Sequence, residues 1–252
     1  MIPDGTRLVK PAPRLLAGLG RALKRAFGQD CFLCGQPTQA PVCPGCARDL
    51  PAAPANACPI CALATPDGST CGRCLARAPA FDATQSAFSY AYPVDGLIQA
   101  GKYHAAFPVL SWLAQYLSAR CLAHYRDSGS NPDLIVPMPL HAVRLRERGY
   151  NQATLLALPL AARWQVPLAD TLVTRLFDTA PQSRLSLPAR RRNLRGAFAC
   201  STDLSGRHVV VIDDVMTSGT SLDELAMSLK RCGAARVDNW VLARTPALPS
   251  GR

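Results

Sequence analysis

Two adjacent carboxylates, Asp213 and Asp214, stand just ahead of a run of small, mostly hydroxylated residues, Thr217-Ser218-Gly219-Thr220-Ser221. Small side chains let the backbone N–H groups of a turn close on a phosphate, the hydroxyls add donors, and a helix starting there adds positive partial charge. Phosphate and ribose lie side by side in a nucleotide or sugar phosphate, so the two Asp are placed to accept hydrogen bonds from the ribose hydroxyls. The plainer reading, an Asp that merely caps a helix, leaves the order of strand, twin carboxylates and Thr-x-Gly-Thr unexplained. There is no P-loop lysine pattern and no G-x-G-x-x-G, which argues against nucleotide hydrolysis and dinucleotide binding.

Elements able to hold such a turn surround it. Val209 to Ile212 are four consecutive apolar residues of the kind found in a parallel strand buried on both faces. Leu222, Leu225, Ala226 and Leu229 then repeat at helical spacing. Asp133 to Val136 predicts a second buried strand, ending in Pro137-Met138-Pro139-Leu140, a turn forced by proline. The segment after it carries Arg144, Arg146 and Arg148 ahead of Gly149-Tyr150-Asn151-Gln152; three Arg at spacing two cannot share one helical face. A helix is expected from about 151 to 164, kinked by Pro159, and a strand near 172–176. The polar stretch from 179 to 195 has the length of a lid, one that would exclude water during a transfer. The implied class is α/β, a mostly parallel twisted sheet with flanking helices.

A second chemistry sits upstream. Eight of the 11 cysteines form four C-x-x-C pairs, Cys31/Cys34, Cys43/Cys46, Cys58/Cys61 and Cys71/Cys74. Two thiolates on a tight turn reach one tetrahedral Zn²⁺, and a second turn closes the site. Gly35, Pro44, Gly45 and Pro59 supply those turns. Redox pairs and disulfides are the alternatives, but no secretory signal precedes the cysteines and a reducing cytoplasm would not keep four disulfides. Sequential pairing of the four units needs only short hairpins; an interleaved arrangement stays open. Large apolar residues are scarce between Cys31 and Cys74, so metal would supply the folding free energy of this module. Cys121, Cys200 and Cys232 read as packed thiols.

The chain of 252 residues has 28 basic against 17 acidic residues, a formal net charge of +11. Between Pro137 and Gly196 ten Arg face three acidic residues, a balance that suits a phosphate-rich small ligand as well as a nucleic-acid backbone. No apolar run reaches the length of a membrane span. Residues 1–29 read as a basic amphipathic helix (Leu15, Leu16, Leu19, Leu23, Phe27) that docks on protein or touches lipid, not as a signal peptide. The domains expected are that helix, a double zinc ribbon at 30–80 and an α/β domain at 81–248.

Val209 to Ser221 resembles the phosphoribosyl pyrophosphate (PRPP) motif of type I phosphoribosyltransferases. Together with the C-x-x-C units, Pro-x-Pro-Leu, Arg-Gly-Tyr-Asn-Gln, Pro-Gln-Ser-x-Leu-Ser and Arg-x-x-Asn-x-x-Gly-Ala-Phe, it is similar in order and spacing to the ComF/GntX family over about residues 30 to 245. The resemblance implies that Asp213 and Asp214 hold the ribose hydroxyls, Thr217 to Ser221 the 5′-phosphate, and Pro139, Arg144 and Arg148 the pyrophosphate, with Asp213, Asp214 and Arg148 carrying catalysis. Lys102, a lysine followed by an aromatic, also has a family counterpart and would face the ligand; His104 has none. Mg²⁺ would be held mainly by the pyrophosphate and ribose oxygens, since the chain offers no carboxylate cage. Hypoxanthine-type relatives carry an Asp where this chain has Thr217, which disfavours a 6-oxopurine acceptor. The family implies a cytoplasmic protein tied to competence and imported DNA, acting on PRPP and an unidentified nitrogenous acceptor. The alternative is a non-catalytic PRPP sensor or DNA-uptake adaptor that meets single-stranded DNA or uptake proteins.

Overall fold

A computed structural model describes residues 28–103, 105–128, 131–178 and 194–247. The N-terminal amphipathic segment, His104 and the 179–193 part of the expected lid lie outside the described residues.

The cysteine-rich segment opens with β1 (Gln29–Asp30), paired antiparallel to β2 (Pro37–Thr38), and adds two one-turn helices, α1 (Pro44–Arg48) and α2 (Gly72–Ala76). Each helix begins directly after a cysteine, Cys43 and Cys71, and carries the next one inside it. The chain continues as β3 (Ala83–Ser89), α3 (Val94–Tyr103), α4 (Phe107–Ser128), β4 (Leu134–Pro137), α5 (Ala142–Arg148), α6 (Gln152–Trp164), β5 (Val173–Arg175), β6 (Phe198–Cys200), β7 (His208–Met216), α7 (Thr220–Arg231) and β8 (Arg236–Arg244).

Four strands make one parallel sheet in the order β3-β8-β7-β4. Successive strand residues point to opposite faces, and the two cores divide accordingly. Val210, Ile212 and Trp240 pack with α3, α4 and α6 through Leu97, Leu113, Leu117 and Leu156. Val209, Val211 and Val237 pack with α7 through Leu225 and Leu229. Burying each such aliphatic side chain contributes roughly 1.5–3 kcal/mol. Both faces are covered, which is why Val209 to Ile212 of β7 and Trp240 to Ala243 of β8 are continuous apolar runs.

The ribbon does not form a core of its own. Cys31, Val42 and Leu50 join the first core, whereas Cys58, Cys61, Leu63 and Cys74 join the second. Between the two cysteine sets the chain runs antiparallel along the outer edge of β3. Ser89 N–H donates to Pro51 O (2.8 Å), Ala53 N–H donates to Ala87 O (3.0 Å), and Ala52 bridges Phe88.

The segment after Pro139, whose alternating arginines cannot share one helical face, is nevertheless the helix α5. His141 Nδ1 caps it by accepting from Val143 N–H, and Gly149, in the left-handed region at φ 76°, ends it. Asn151 caps α6 in the same way. Among the described residues no helix is long and apolar enough to cross a membrane.

Candidate ligand site and metal centres

Strand register opens the crevice. β4 stops opposite Ile212, while β7 runs on to Met216 beside β8, which ends at Arg244. Asp213 to Met216 therefore overhang their neighbour on one side, at the carboxyl ends of the strands where open α/β sheets bind ligands. Pleat alternation then separates the two carboxylates. Asp213 shares a face with Val209 and Val211 and lines a small open recess of ≈ 40 Å³ together with Thr217, Ser218, Gly219, Thr220 and Ser221. Asp214 shares the face of Ile212 and meets Lys102 on α3, Nζ to Oδ2 3.0 Å. Asp214 is 5% exposed.

Burial, and then the neighbouring charge of Asp214, push the Asp213 carboxyl up to about 7; Lys102, the Asp214 N–H and Arg175 oppose the rise. For Lys102, burial works against the charge, but Asp214 beside it holds the ammonium above its ordinary value.

The turn after β7 has the expected build. Gly219, at φ 80°, precedes α7 and leaves the helix N-terminus without a side-chain cap. That left-handed backbone strains any L side chain, and a Cβ there would also sit 2.6 Å from Met216 Cε, which would have to move. Ser218 Oγ and Thr220 Oγ1 are 2.8 Å apart. Asp213 and Thr217 to Ser221 thus converge on one recess.

The flanking residues divide. Arg148 stacks over Tyr103, 5.3 Å from its ring centroid, beside Lys102. Tyr150 Oη donates to Gly101 O (2.8 Å) and meets Phe107 edge-on. Arg144 is engaged with Glu147 (2.9 Å) and Asp178 (3.3 Å). Pro139 is buried within the turn after β4, where Asn151 Nδ2 donates to Met138 O (3.0 Å).

Three arginines matter that no sequence pattern singled out. Arg175 on β5 lies close enough to Asp213 and Asp178 to feel both charges, and its guanidinium lies over Phe198. Arg244, 3% exposed, donates from Nε to Cys61 O (2.8 Å) and from NH1 to Met216 O (2.9 Å) and Thr217 O. Arg73, between two cysteines, donates to Ser218 O (2.8 Å). All are isolated in sequence; only the last residue of β8 lying opposite Met216 brings Arg244 to the turn.

The eight cysteines form two sets in sequential pairing, Cys31/Cys34/Cys43/Cys46 and Cys58/Cys61/Cys71/Cys74, each with all sulfurs within 4.8 Å of one another. Four sulfurs about 2.3 Å from one tetrahedral ion stand roughly 3.8 Å apart. Cys34 and Cys43 Sγ are 3.8 Å apart and Cys61 and Cys71 Sγ 3.5 Å. Burial raises the Cys31 thiol, but N–H groups of Cys43, Cys34 and Leu33 outweigh it and bring it to about 6. Neighbouring Cys34 and Cys43 push Cys46 up to about 12. In the second set, burial acts against Cys58 while N–H groups lower it to about 7, and burial drives Cys74 upward. In each set one thiol is thus held low, Cys31 or Cys58, while Cys46 in the first and Cys61 and Cys74 in the second are pushed up. The two clusters fit two structural zinc sites.

Residues 116–250 match the phosphoribosyl transferase domain family and residues 22–75 the double zinc ribbon domain family. The chain therefore has a phosphoribosyltransferase domain behind a double zinc ribbon. It is 37% identical to the DNA utilization protein YhgH of Escherichia coli K12 over 220 residues, covering 85% of this chain and 96% of that one. It is 33% identical to Competence protein F of Haemophilus influenzae over 182 residues, 69% of this chain and 78% of that one. The chain belongs to the ComF family.

Proposed function

We propose that the protein binds Mg²⁺–PRPP at the end of β7 and transfers the phosphoribosyl group to a nitrogenous acceptor. The observation that carries this reading is the convergence of Asp213 with the glycine-centred, hydroxyl-rich turn at the uncapped start of α7. Thr217 to Ser221 would take the 5′-phosphate on backbone N–H groups and hydroxyls. Asp213 and Asp214 would accept from the ribose hydroxyls, with Lys102 orienting Asp214. Arg148, Arg175 and, once freed from Glu147 and Asp178, Arg144 would stabilise charge gathering on the departing pyrophosphate. Mg²⁺, when bound with the substrate, would neutralise pyrophosphate oxygens. Transfer then needs orientation and electrostatics, with no side-chain nucleophile.

The names of its relatives support a place in the handling of imported DNA, in the cytoplasm, where eight metal-binding thiols stay reduced. We assign residues 30–80 to the ribbon and 81–248 to the transferase domain. A second reading, a PRPP-sensing adaptor that docks single-stranded DNA or uptake proteins, draws on the Lys102–Asp214 ion pair, which already commits one of the two carboxylates.

Titration calorimetry with PRPP and Mg²⁺ tests binding: the wild type should bind, and Asp213→Asn should weaken affinity at least about tenfold. No heat with the wild type would sink the assignment. Pyrophosphate release with a panel of nitrogenous acceptors separates the readings, since turnover favours the enzyme and ligand-dependent DNA binding without turnover favours the adaptor.

A further inference from the structure

The carbonyls of three successive residues in the anion turn are all held from the ribbon side. Arg244 takes those of Met216 and Thr217, and Arg73 takes that of Ser218. In a trans peptide the carbonyl and the following N–H point in opposite directions. Fixing these three oxygens therefore fixes the N–H groups of Thr217, Ser218 and Gly219, which are left facing away from the ribbon. Those amides are the donors a bound phosphate needs.

Both arginines are in turn anchored to the second cysteine set. Arg73 lies between Cys71 and Cys74, and Arg244 Nε donates to the carbonyl of Cys61. Two further ties span the same junction. Ala80 N–H donates to Asp223 Oδ1 (2.7 Å) in the first turn of α7, and Cys61, Cys74, Phe81, Met216 and Leu222 share one core. The first cysteine set packs on the other face of the sheet, away from the turn.

We infer that Arg244 and Arg73 are positioning residues of the anion turn, and that they make its order conditional on metal in the Cys58/Cys61/Cys71/Cys74 site but not in the Cys31/Cys34/Cys43/Cys46 site. With metal bound, the ribbon presents both guanidinium groups at fixed positions. Without it the knuckles carrying Cys61 and Arg73 lose their cross-link; Ser218 O then loses its holder, and Arg244, still fixed by β8, loses the Cys61 carbonyl that orients its guanidinium toward Met216 O and Thr217 O. The inference deepens the PRPP reading, and its ligand-binding arm rests on that reading. Order in the turn does not.

Amide hydrogen exchange on the full-length, zinc-loaded protein is the decisive measurement, followed over residues 216–222. Arg73 is exposed, so Arg73→Ala should fold, and it should speed exchange in the turn while leaving β8 unchanged. Cys71→Ser should do the same and lower the zinc content from two ions to one. Cys34→Ser should lower zinc equally, with faster exchange around residues 31–46 and an unchanged turn. Arg244→Lys, which keeps the charge but loses the fork, should fall between wild type and Arg73→Ala. The same samples titrated with PRPP and Mg²⁺ should show affinity reduced about tenfold in Arg73→Ala. Unchanged exchange in the turn of Arg73→Ala overturns the inference, as does equal loosening of the turn by Cys34→Ser. Should Cys71→Ser not fold, Arg73→Ala alone decides. A wild type that ignores PRPP defeats the proposed function, while the exchange data still decide the coupling.

Discussion

Asp213 is placed where ligand binding and stability pull in opposite directions. Its carboxyl, driven up to about 7 by burial and by Asp214, with Lys102 and Arg175 as the opposing cations, keeps a proton in the native state that the unfolded chain releases near pH 4. The folded form thus binds more protons between about pH 4 and 7. The stability contributed by this group is full below that window and is lost as pH rises through it. In chemical denaturation of the free protein, Asp213→Asn should be more stable than wild type at pH 8, by on the order of 1 kcal/mol, with the gap closing towards pH 5. Affinity for PRPP should run the other way, weakening by up to about tenfold per pH unit below 7, because the ribose hydroxyls need an ionised acceptor. The pair was legible in the sequence as a ribose grip. Its division between two faces, one carboxylate to the anion recess and one to Lys102, follows from the strand continuing to Met216, which Val209 to Ile212 alone do not reveal.

At the scale of elements, helix packing sets the reach of Lys102. Gly101 lies against α4 so closely that a Cβ would meet Leu110 Cδ2 at 2.4 Å and Cγ at 2.5 Å, and Tyr150 holds its carbonyl from the other side. Gly101→Ala should cost about 1–3 kcal/mol through overpacking and weaken PRPP affinity by moving Lys102 off Asp214; Leu110→Ala in the same chain should restore part of both, read by thermal melting and calorimetry. The strands β4 and β7 and the helices α6 and α7 were readable because apolar periodicity marks them. The helix α5 was not, since its arginines alternate and its limits are set by His141 and Gly149, a local capping choice. The resemblance implied only that Lys102 faces the ligand; its pairing with Asp214 was not foreseen, because no local pattern joins residues that far apart in the chain.

At the scale of the whole molecule, the C-x-x-C spacing foretold two metal clusters, and their short hairpins settle the sequential pairing. What spacing could not convey is that the clusters are built into opposite cores of the sheet. That arrangement depends on contacts between residues 51–53 and β3, which carry no motif.

The segment between the clusters occupies hydrogen-bonding positions along β3 that would otherwise be open to any other chain. An uncovered parallel sheet invites strand addition from a second molecule. Stripping both metals with a strong chelator should therefore give self-association visible by light scattering, not a quietly inactive monomer, and returned zinc should reverse it only before aggregates form. In a cell short of zinc, this protein would disappear from the soluble fraction.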